Sequence, residues 1–586
     1  MNVLIKLSGL LILAGTNLSC IMRSDLKSSK KQTAAAMPRL VVLLVVDQMR
    51  SDFIGRFSSA FRKNSDHSDA EGLLYLAERG TTFMNARTAS APTVTATGHA
   101  TVCSGATASQ HGIVANMFFD RKHGIVQEAA ADSTTQVVRT PSMLPNDPLS
   151  RVESASSSEA RLMTPSISDA LHDWSGGQSK TFSVSIKDRG AVFCGGKHSL
   201  GVYWYDYQSG TMVTSSRYKK ELPEWVNMFN KNRAPNFNFI WKPSFSLATL
   251  KTYITDSHYK QALEVRSSLS VKYGTGFPYE YNSFEIGALG ARKFFEYTPY
   301  ASEHLVDFAL EAQKQEKLGC ALTSDSQNCK TPQFPDFLTV SFSTPDLVGH
   351  AFGPESLEHF DIYLNLNKSV ERLRRELEDR LGSGNVLFIQ TSDHGVQTLP
   401  EVTQSVKGRS AGRFSSQAFK TKLDELMDAR YGSEQWIDEV INGQIYFNFD
   451  SIRKHKLTTE SVIALLKPDV VKFAGVLDVL SAEEIAKGGS EVKELYKRGL
   501  QPERSGDAFI LMSEGWLIES SVAGNHGTSN EDDTRIPLIF YGWRIPQQVL
   551  DSAARADDIA PTVLTLLGSK VPSFMTGKSL RNQLIK

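Results

Sequence analysis

Five short apolar runs, at residues 40–46, 181–186, 337–342, 386–389 and 536–541, punctuate this 586-residue chain. They are rich in β-branched and aromatic residues and too short for core helices, so they read as buried strands. Helical patterns at 302–315, 360–381 and 559–567 separate them. Strands that alternate with helices predict an α/β fold, with a mostly parallel central sheet covered by helices on both faces.

Two stretches interrupt the alternation and lack a clear period. Residues 197–300, with Tyr203, Trp204, Tyr205, Trp225, Phe237 and Trp241, are expected as a cap, and residues 398–510 as a side lobe. A length of 586 residues accommodates one large core with such insertions, spanning 38–586. With 64 basic against 64 acidic residues, no overall field holds the chain on nucleic acid or an anionic membrane. Any attraction for an anion has to be local.

The first 20 residues carry Lys6, a short apolar run from Leu7 to Ala14, then small and polar residues ending at Cys20. This pattern predicts a signal peptide and export; the run is too short to span a bilayer. Leu18-Ser19-Cys20 partly resembles a bacterial lipobox, with the leucine one place too close to the cysteine. A soluble periplasmic protein and a lipid-anchored outer-membrane protein both stay open. Residues 21–37 are expected as a flexible tether. An oxidising compartment permits disulfides: Cys320 and Cys329 flank a short polar loop and form the best candidate pair, whereas Cys103 and Cys194 fit buried thiols or a bridge.

Polar residues follow the runs in order. Asp47 follows the first, Lys187 and Arg189 the second, Asp346 and His350 the third, Asp393 and His394 the fourth. Ligands of open parallel sheets bind at the carboxyl ends of strands, so these groups are expected along one edge. Asp346 and His350 stand one helical turn apart and present one face. A fifth candidate, His526, lies in Gly524-Asn525-His526-Gly527-Thr528. Each has an ordinary reading as a cap, turn or surface group; their shared context favours a site. Imidazole and carboxylate without thiolate suit zinc, with manganese or iron as weaker options.

These segments together resemble the alkaline phosphatase superfamily, in the branch of type I phosphodiesterases, nucleotide pyrophosphatases and PafA-type alkaline phosphatases. The resemblance is carried by residues 41–121, 183–191, 341–354, 391–396 and 524–541. It implies two zinc ions, one held by Asp47, Asp393 and His394 and touching the nucleophile, the other by Asp346, His350 and His526. Two divalent ions roughly 4 Å apart clamp the attacking and leaving oxygens of an in-line phosphoryl displacement.

The nucleophile lies in Ala91-Pro92-Thr93-Val94-Thr95-Ala96-Thr97-Gly98-His99, where the residues alone do not choose among the hydroxyls. The family places it four residues before the histidine equivalent to His99, which selects Thr95 and implies a phosphothreonine intermediate. Lys187 and Arg189, two apart, project to one side of an extended segment and resemble the phosphate-binding pair of the monoesterases. Asn116 matches a phosphate hydrogen-bond donor. Ala115 and Phe118 depart from the glycine and tryptophan usual in the family.

The expected activity is hydrolysis of small phosphate monoesters. A phosphodiesterase or nucleotide pyrophosphatase on the same scaffold is the alternative. A sulfatase is disfavoured, because Cys103-Ser104-Gly105-Ala106-Thr107 lacks the proline and arginine of Cys-x-Pro-x-Arg. A non-catalytic binding protein is disfavoured by the complete set of ligands.

Overall fold

In the computed structural model all seven residues of the first strand, Leu40–Val46, are buried, and they feed two different cores. Side chains of a strand alternate between faces. Leu40, Val42, Leu44 and Val46 pack with the helices Phe53–Asn64, Pro299–Gln315 and Leu357–Leu381. Val41, Leu43 and Val45 pack with Ile167–Ser175 and Ile559–Leu566 on the opposite face. A strand covered on both sides reads as an unbroken apolar run. The structure describes residues 37–585 apart from 66–68, 142–154, 255–275, 282, 322–328 and 520. The expected leader, Cys20 and all but the last residue of the tether lie outside the described residues.

Among the described residues the main sheet has 11 strands. Its centre, in the order Val386–Thr391, Leu40–Val46, Asp336–Phe342, Thr181–Ser185 and Gly201–Asp206, is entirely parallel. The flanks are mixed. Leu538–Gly542 runs antiparallel to Val386–Thr391, and Thr211–Ser215 antiparallel to Gly201–Asp206. Parallel pairing is thus unbroken only across the five central strands, although the edge pair Thr81–Arg87 and Gln548–Arg555 is parallel too. An apolar run records its burial and not its direction, which the connecting chain decides.

Register aligns the carboxyl ends. Val45 lies beside both Ser341 and Thr391, and Ser341 beside Ser185. The residues that leave these strands therefore emerge along one edge.

The stretch 197–300 opens with two strands of the main sheet and so is not wholly outside it. Tyr203 and Tyr205 face one core and Trp204 another, which hides any period. Farther along, Phe239–Trp241 pairs with Tyr279–Tyr281, and Trp241 and Tyr279 pack with Val348 and Phe352 of the Thr344–Phe352 helix. Within 398–510, the strands Ile437–Ile441, Gln444–Phe447 and Val476–Ser481 join Ala508–Met512 in a separate four-stranded sheet. It has its own core around Phe419, Trp436, Phe447 and Ile463. No helix among the described residues is long and apolar enough to cross a membrane.

Both cysteine pairs are bridged. Cys320–Cys329 closes a loop, and Cys103–Cys194 joins the helix Thr95–Ser104 to the helix Asp188–Gly195, with Cα atoms 4.9 Å apart. The second bridge resolves the two readings left open for this pair. It spans 91 residues. Replacing Cys103 and Cys194 together by Ala should lower stability by about 2–4 kcal/mol, read from the urea unfolding midpoint. An unchanged midpoint would mean that packing alone holds the two helices.

Candidate active site

Asp47 leaves the first strand with its N–H on the Phe342 carbonyl (3.0 Å) and its side chain buried. Asp346 lies in the first turn of the helix Thr344–Phe352 and His350 in its last. Asp393 and His394 follow Val386–Thr391, and the loop bearing His526 closes over them. The His394 and His526 rings stack with centroids 3.6 Å apart. His350, at 27 % exposed, marks the open side of the site.

The three histidines share one arrangement. Nδ1 of His350 lies 2.9 Å from the Gly524 carbonyl, that of His394 2.9 Å from the Gly395 carbonyl, and that of His526 2.7 Å from the Thr93 carbonyl. A carbonyl oxygen only accepts, so each Nδ1 carries the proton and each Nε2 presents a lone pair. All three lone pairs point inward. Nε2 of His350 and His526 are 3.2 Å apart, and both lie within 3.3 Å of Asp346 Oδ1. His394 Nε2 is 3.5 Å from Asp47 Oδ1 and 3.4 Å from Asp393 Oδ2. Burial pushes the His394 pKa down to about 3 and lowers that of His526, so both imidazoles are neutral near pH 7.

Three carboxylates crowd this volume. Burial, with Asp346 and Asp393 nearby, raises the Asp47 carboxyl well above the usual range. Burial alone would raise Asp346 and Asp393 as well. For Asp346, His350 and Lys187 outweigh it and hold the carboxyl well below the ordinary range; for Asp393, His394 and His99 do the same. Lys187 Nζ sits between two of the acids, 2.7 Å from Asp47 Oδ2 and in contact with Asp346 Oδ2. Burial lowers its pKa, but Asp346 and Asp47 more than reverse this, so it stays charged.

Thr95 opens the helix Thr95–Ser104, with Oγ1 3.4 Å from His394 Nε2. Thr93 Oγ1 instead donates to the Thr528 carbonyl (2.8 Å), while Thr97 Oγ1 is buried without a hydrogen bond among the described residues. Asn116 Oδ1 accepts the N–H of Ala96 (2.8 Å), which leaves its NH₂ as a donor beside Thr95. Lys187 and Arg189 do not share an extended segment. Lys187 is the N-cap residue and Arg189 lies in the first turn of the helix Asp188–Gly195. Lys187 reaches the carboxylates, whereas Arg189 Nε is buried without a hydrogen bond among the described residues.

Several further residues, not assigned to the site from the sequence, position it. Gln48, in the left-handed region at φ 67°, donates to Asp346 Oδ1 (2.8 Å). Its side chain fills the space that a Cβ on Gly349 would occupy. His99 Nδ1 lies 3.0 Å from the Thr95 carbonyl and 3.1 Å from Asp393 Oδ2, and its Nε2 shares a hydrogen bond with Ser341 Oγ (2.7 Å). Gly98 is explained by close approach, since a Cβ there would stand 2.4 Å from the Asp393 carbonyl oxygen. Asp533 accepts from the N–H and Oγ1 of Thr528, and its carbonyl accepts the N–H of Gly395, which ties the His394 and His526 segments together.

The donor set fits divalent cations. Asp346, His350 and His526 form one group, and Asp47, Asp346 and His394 another, each with its ligand atoms within 4.8 Å of one another. Asp346 belongs to both groups. Asp393 stands beside the second, its Oδ1 held by the N–H groups of Gln48 (3.2 Å) and His394 (2.9 Å). Inward lone pairs, outward N–H groups fixed on carbonyls, and a lysine cation already lodged between two acids are all features of a site built for positive charge. Gln48→Ala should weaken divalent-metal affinity about 10- to 100-fold, measured by competition with a chromophoric chelator. Unchanged affinity would show that Asp346 needs no such support.

Comparison with known proteins agrees with this geometry. The family model for type I phosphodiesterase / nucleotide pyrophosphatase matches residues 41–534. The chain is 30% identical to alkaline phosphatase PhoV of Synechococcus elongatus, over 97% of this chain and 98% of that protein. It is also 30% identical to alkaline phosphatase PafA of Elizabethkingia meningoseptica, over 96% and 97%. The crystal structure of wild-type PafA superposes with a TM-score of 0.80 at 28% identity, covering 94% of this chain and 100% of that one. With a catalytic edge of this composition and a match that spans most of its length, the chain belongs to the type I phosphodiesterase / nucleotide pyrophosphatase family, within the alkaline phosphatase superfamily.

Proposed function

We propose that this chain is an exported alkaline phosphatase that hydrolyses small phosphate monoesters through a phosphothreonine at Thr95, with two zinc ions as cofactors. Whole-length likeness to PhoV and PafA supports a metal-dependent phosphoric monoester hydrolase. The observation that carries the mechanism is the position of Thr95 Oγ1 beside His394 Nε2, at the N-terminus of a buried helix. Asp346, His350 and His526 would hold one ion, and Asp47 and His394, with Asp393 beside them, the other. When bound, the ions would lower the pKa of the attacking hydroxyl and stabilise the charge on the departing oxygen.

The chain's own groups do the rest. The amino end of the Thr95–Ser104 helix favours negative charge next to the nucleophile. Asn116 NH₂, Lys187 and Arg189 are donors for the non-bridging phosphate oxygens, and Arg189 Nε, without a partner among the described residues, is available for that bond. Thr95 displaces the alcohol, which leaves with its proton. Water then attacks the phosphothreonine and releases inorganic phosphate. Holding three oxygens in both steps is catalysis by positioning and electrostatics. A dianionic monoester needs more positive donors than a diester, which favours the monoesterase reading. The leader expected at 1–20 from the sequence and the two disulfides support export.

Purified enzyme with zinc should hydrolyse phenyl phosphate well and its diester poorly, and lose activity in a chelator. A faster diester rate would replace the assignment with a phosphodiesterase. Lys187→Ala with Arg189→Ala should cut monoester turnover about a hundredfold or more, with a far smaller loss on the diester. Rapid acid quenching followed by mass spectrometry should find phosphate on Thr95; phosphate on Thr93 or Thr97 would move the nucleophile.

A further inference from the structure

The hairpin that follows Asn116, Met117–Asp120 paired with Ile125–Glu128, forms one wall of a second cavity of about 770 Å³. This volume lies within the range of ligand sites. Its opposite wall comes from the lobe with the separate four-stranded sheet, which contributes Arg504. Hairpin and lobe are joined at this seam. Asn442 Nδ2 donates to the Met117 carbonyl (2.8 Å), and Arg121 pairs with Asp507 (2.6 Å).

Two guanidinium groups facing the cavity form no ion pair among the described residues. Arg161 donates only to the Ala131 carbonyl and to Gln127 Oε1. Arg504 Nη1 donates to the carbonyls of Gly112 and Arg161, both at 2.7 Å, and its guanidinium lies 5.9 Å from the centre of the Phe118 ring. Both side chains are half-buried. Burial lowers both pKa values, and Arg161 lowers that of Arg504 further. Lys122 adds a third positive group on the rim. Of the two lining acids, Asp120 is hydrogen-bonded to His123 (2.8 Å) and Gln127 (2.6 Å), and Glu503 is exposed. Asp132 and Asp120 act on Arg161, and Glu503 and Asp120 on Arg504, but none comes within ion-pair distance, so two half-buried guanidiniums keep donors for an incoming anion.

The cavity is tied to the phosphate site through its walls. Phe118 stands two residues beyond Asn116 and packs with Ala96, the residue after Thr95. Gly112, which accepts from Arg504, lies four residues before Asn116. We infer that Arg161 and Arg504 form a subsite for a second anionic group on the leaving-group side of the substrate, so that the enzyme prefers phosphate monoesters whose alcohol carries a further phosphate. The inference rests on the monoesterase reading above.

The test compares adenosine 5′-monophosphate with adenosine 3′,5′-bisphosphate on the zinc-loaded enzyme, with phenyl phosphate as a control for fold and chemistry. The bisphosphate should show a KM about tenfold lower, corresponding to one added charge-assisted contact. Arg161→Ala with Arg504→Ala should abolish that advantage and leave kcat and KM for phenyl phosphate unchanged. Arg161→Lys with Arg504→Lys should retain part of it, and this pair decides the matter if the alanine variant unfolds. No preference in the wild type, or equal losses on all three substrates, would overturn the subsite. If the variants alter only inhibition by added inorganic phosphate, the arginines bind free anion and the inference also fails. Absence of turnover on every monoester would instead refute the monoesterase reading itself.

Discussion

Repulsion among Asp47, Asp346 and Asp393 is the constraint on which the rest of the structure turns. Removing carboxylates from water costs several kcal/mol per ion unless opposite charge is supplied. Here three are buried within reach of one another. Lys187 answers part of that demand from between Asp47 and Asp346. His394 and His526 add nothing to it near pH 7, because burial keeps both neutral there. The remaining demand falls on cations bound at the inward-facing Nε2 and carboxylate atoms. A volume that needs imported positive charge to hold its own acids also attracts a phosphate dianion.

Holding those acids in place takes more chain than the ligands themselves. Parallel pairing with aligned register brings the ends of the central strands to one edge. Ser343, at the N-cap of the Asp346 helix, accepts the backbone N–H of Lys187 (3.2 Å), so lysine and ligand helix are fixed relative to each other. Gly98 and Gly349 let neighbouring groups approach where a side chain would collide. The Cys103–Cys194 bridge links the helix that begins at Thr95 to the helix capped by Lys187. Thr95, Lys187 and the buried carboxylates and histidines thus belong to one mechanically connected unit.

Much of this was legible beforehand because strand ends write their chemistry locally. An apolar run followed by Asp47, or by Asp393 and His394, is visible in a few consecutive residues. Gln48 was not, since glutamine after aspartate has no special signature; its role depends on a left-handed backbone and on a helix nearly 300 residues away, at Asp346. The Lys187–Arg189 pair was legible as a pair, but its geometry was misread, because a helix begins at Asp188. The strands of residues 201–215 were hidden by aromatic residues buried toward different cores.

By itself the sequence determined the α/β alternation, the set of ionisable groups at the strand ends and, through its motif order, the family. Those properties follow from residue type and short-range spacing, which folding does not alter. Tertiary structure decided the direction of the flanking strands, the bridging of Cys103 to Cys194, the lodging of Lys187 between two acids and the meeting of Arg161 with Arg504. Each depends on which distant segments come into contact, and contact is settled by packing and connection across the whole chain.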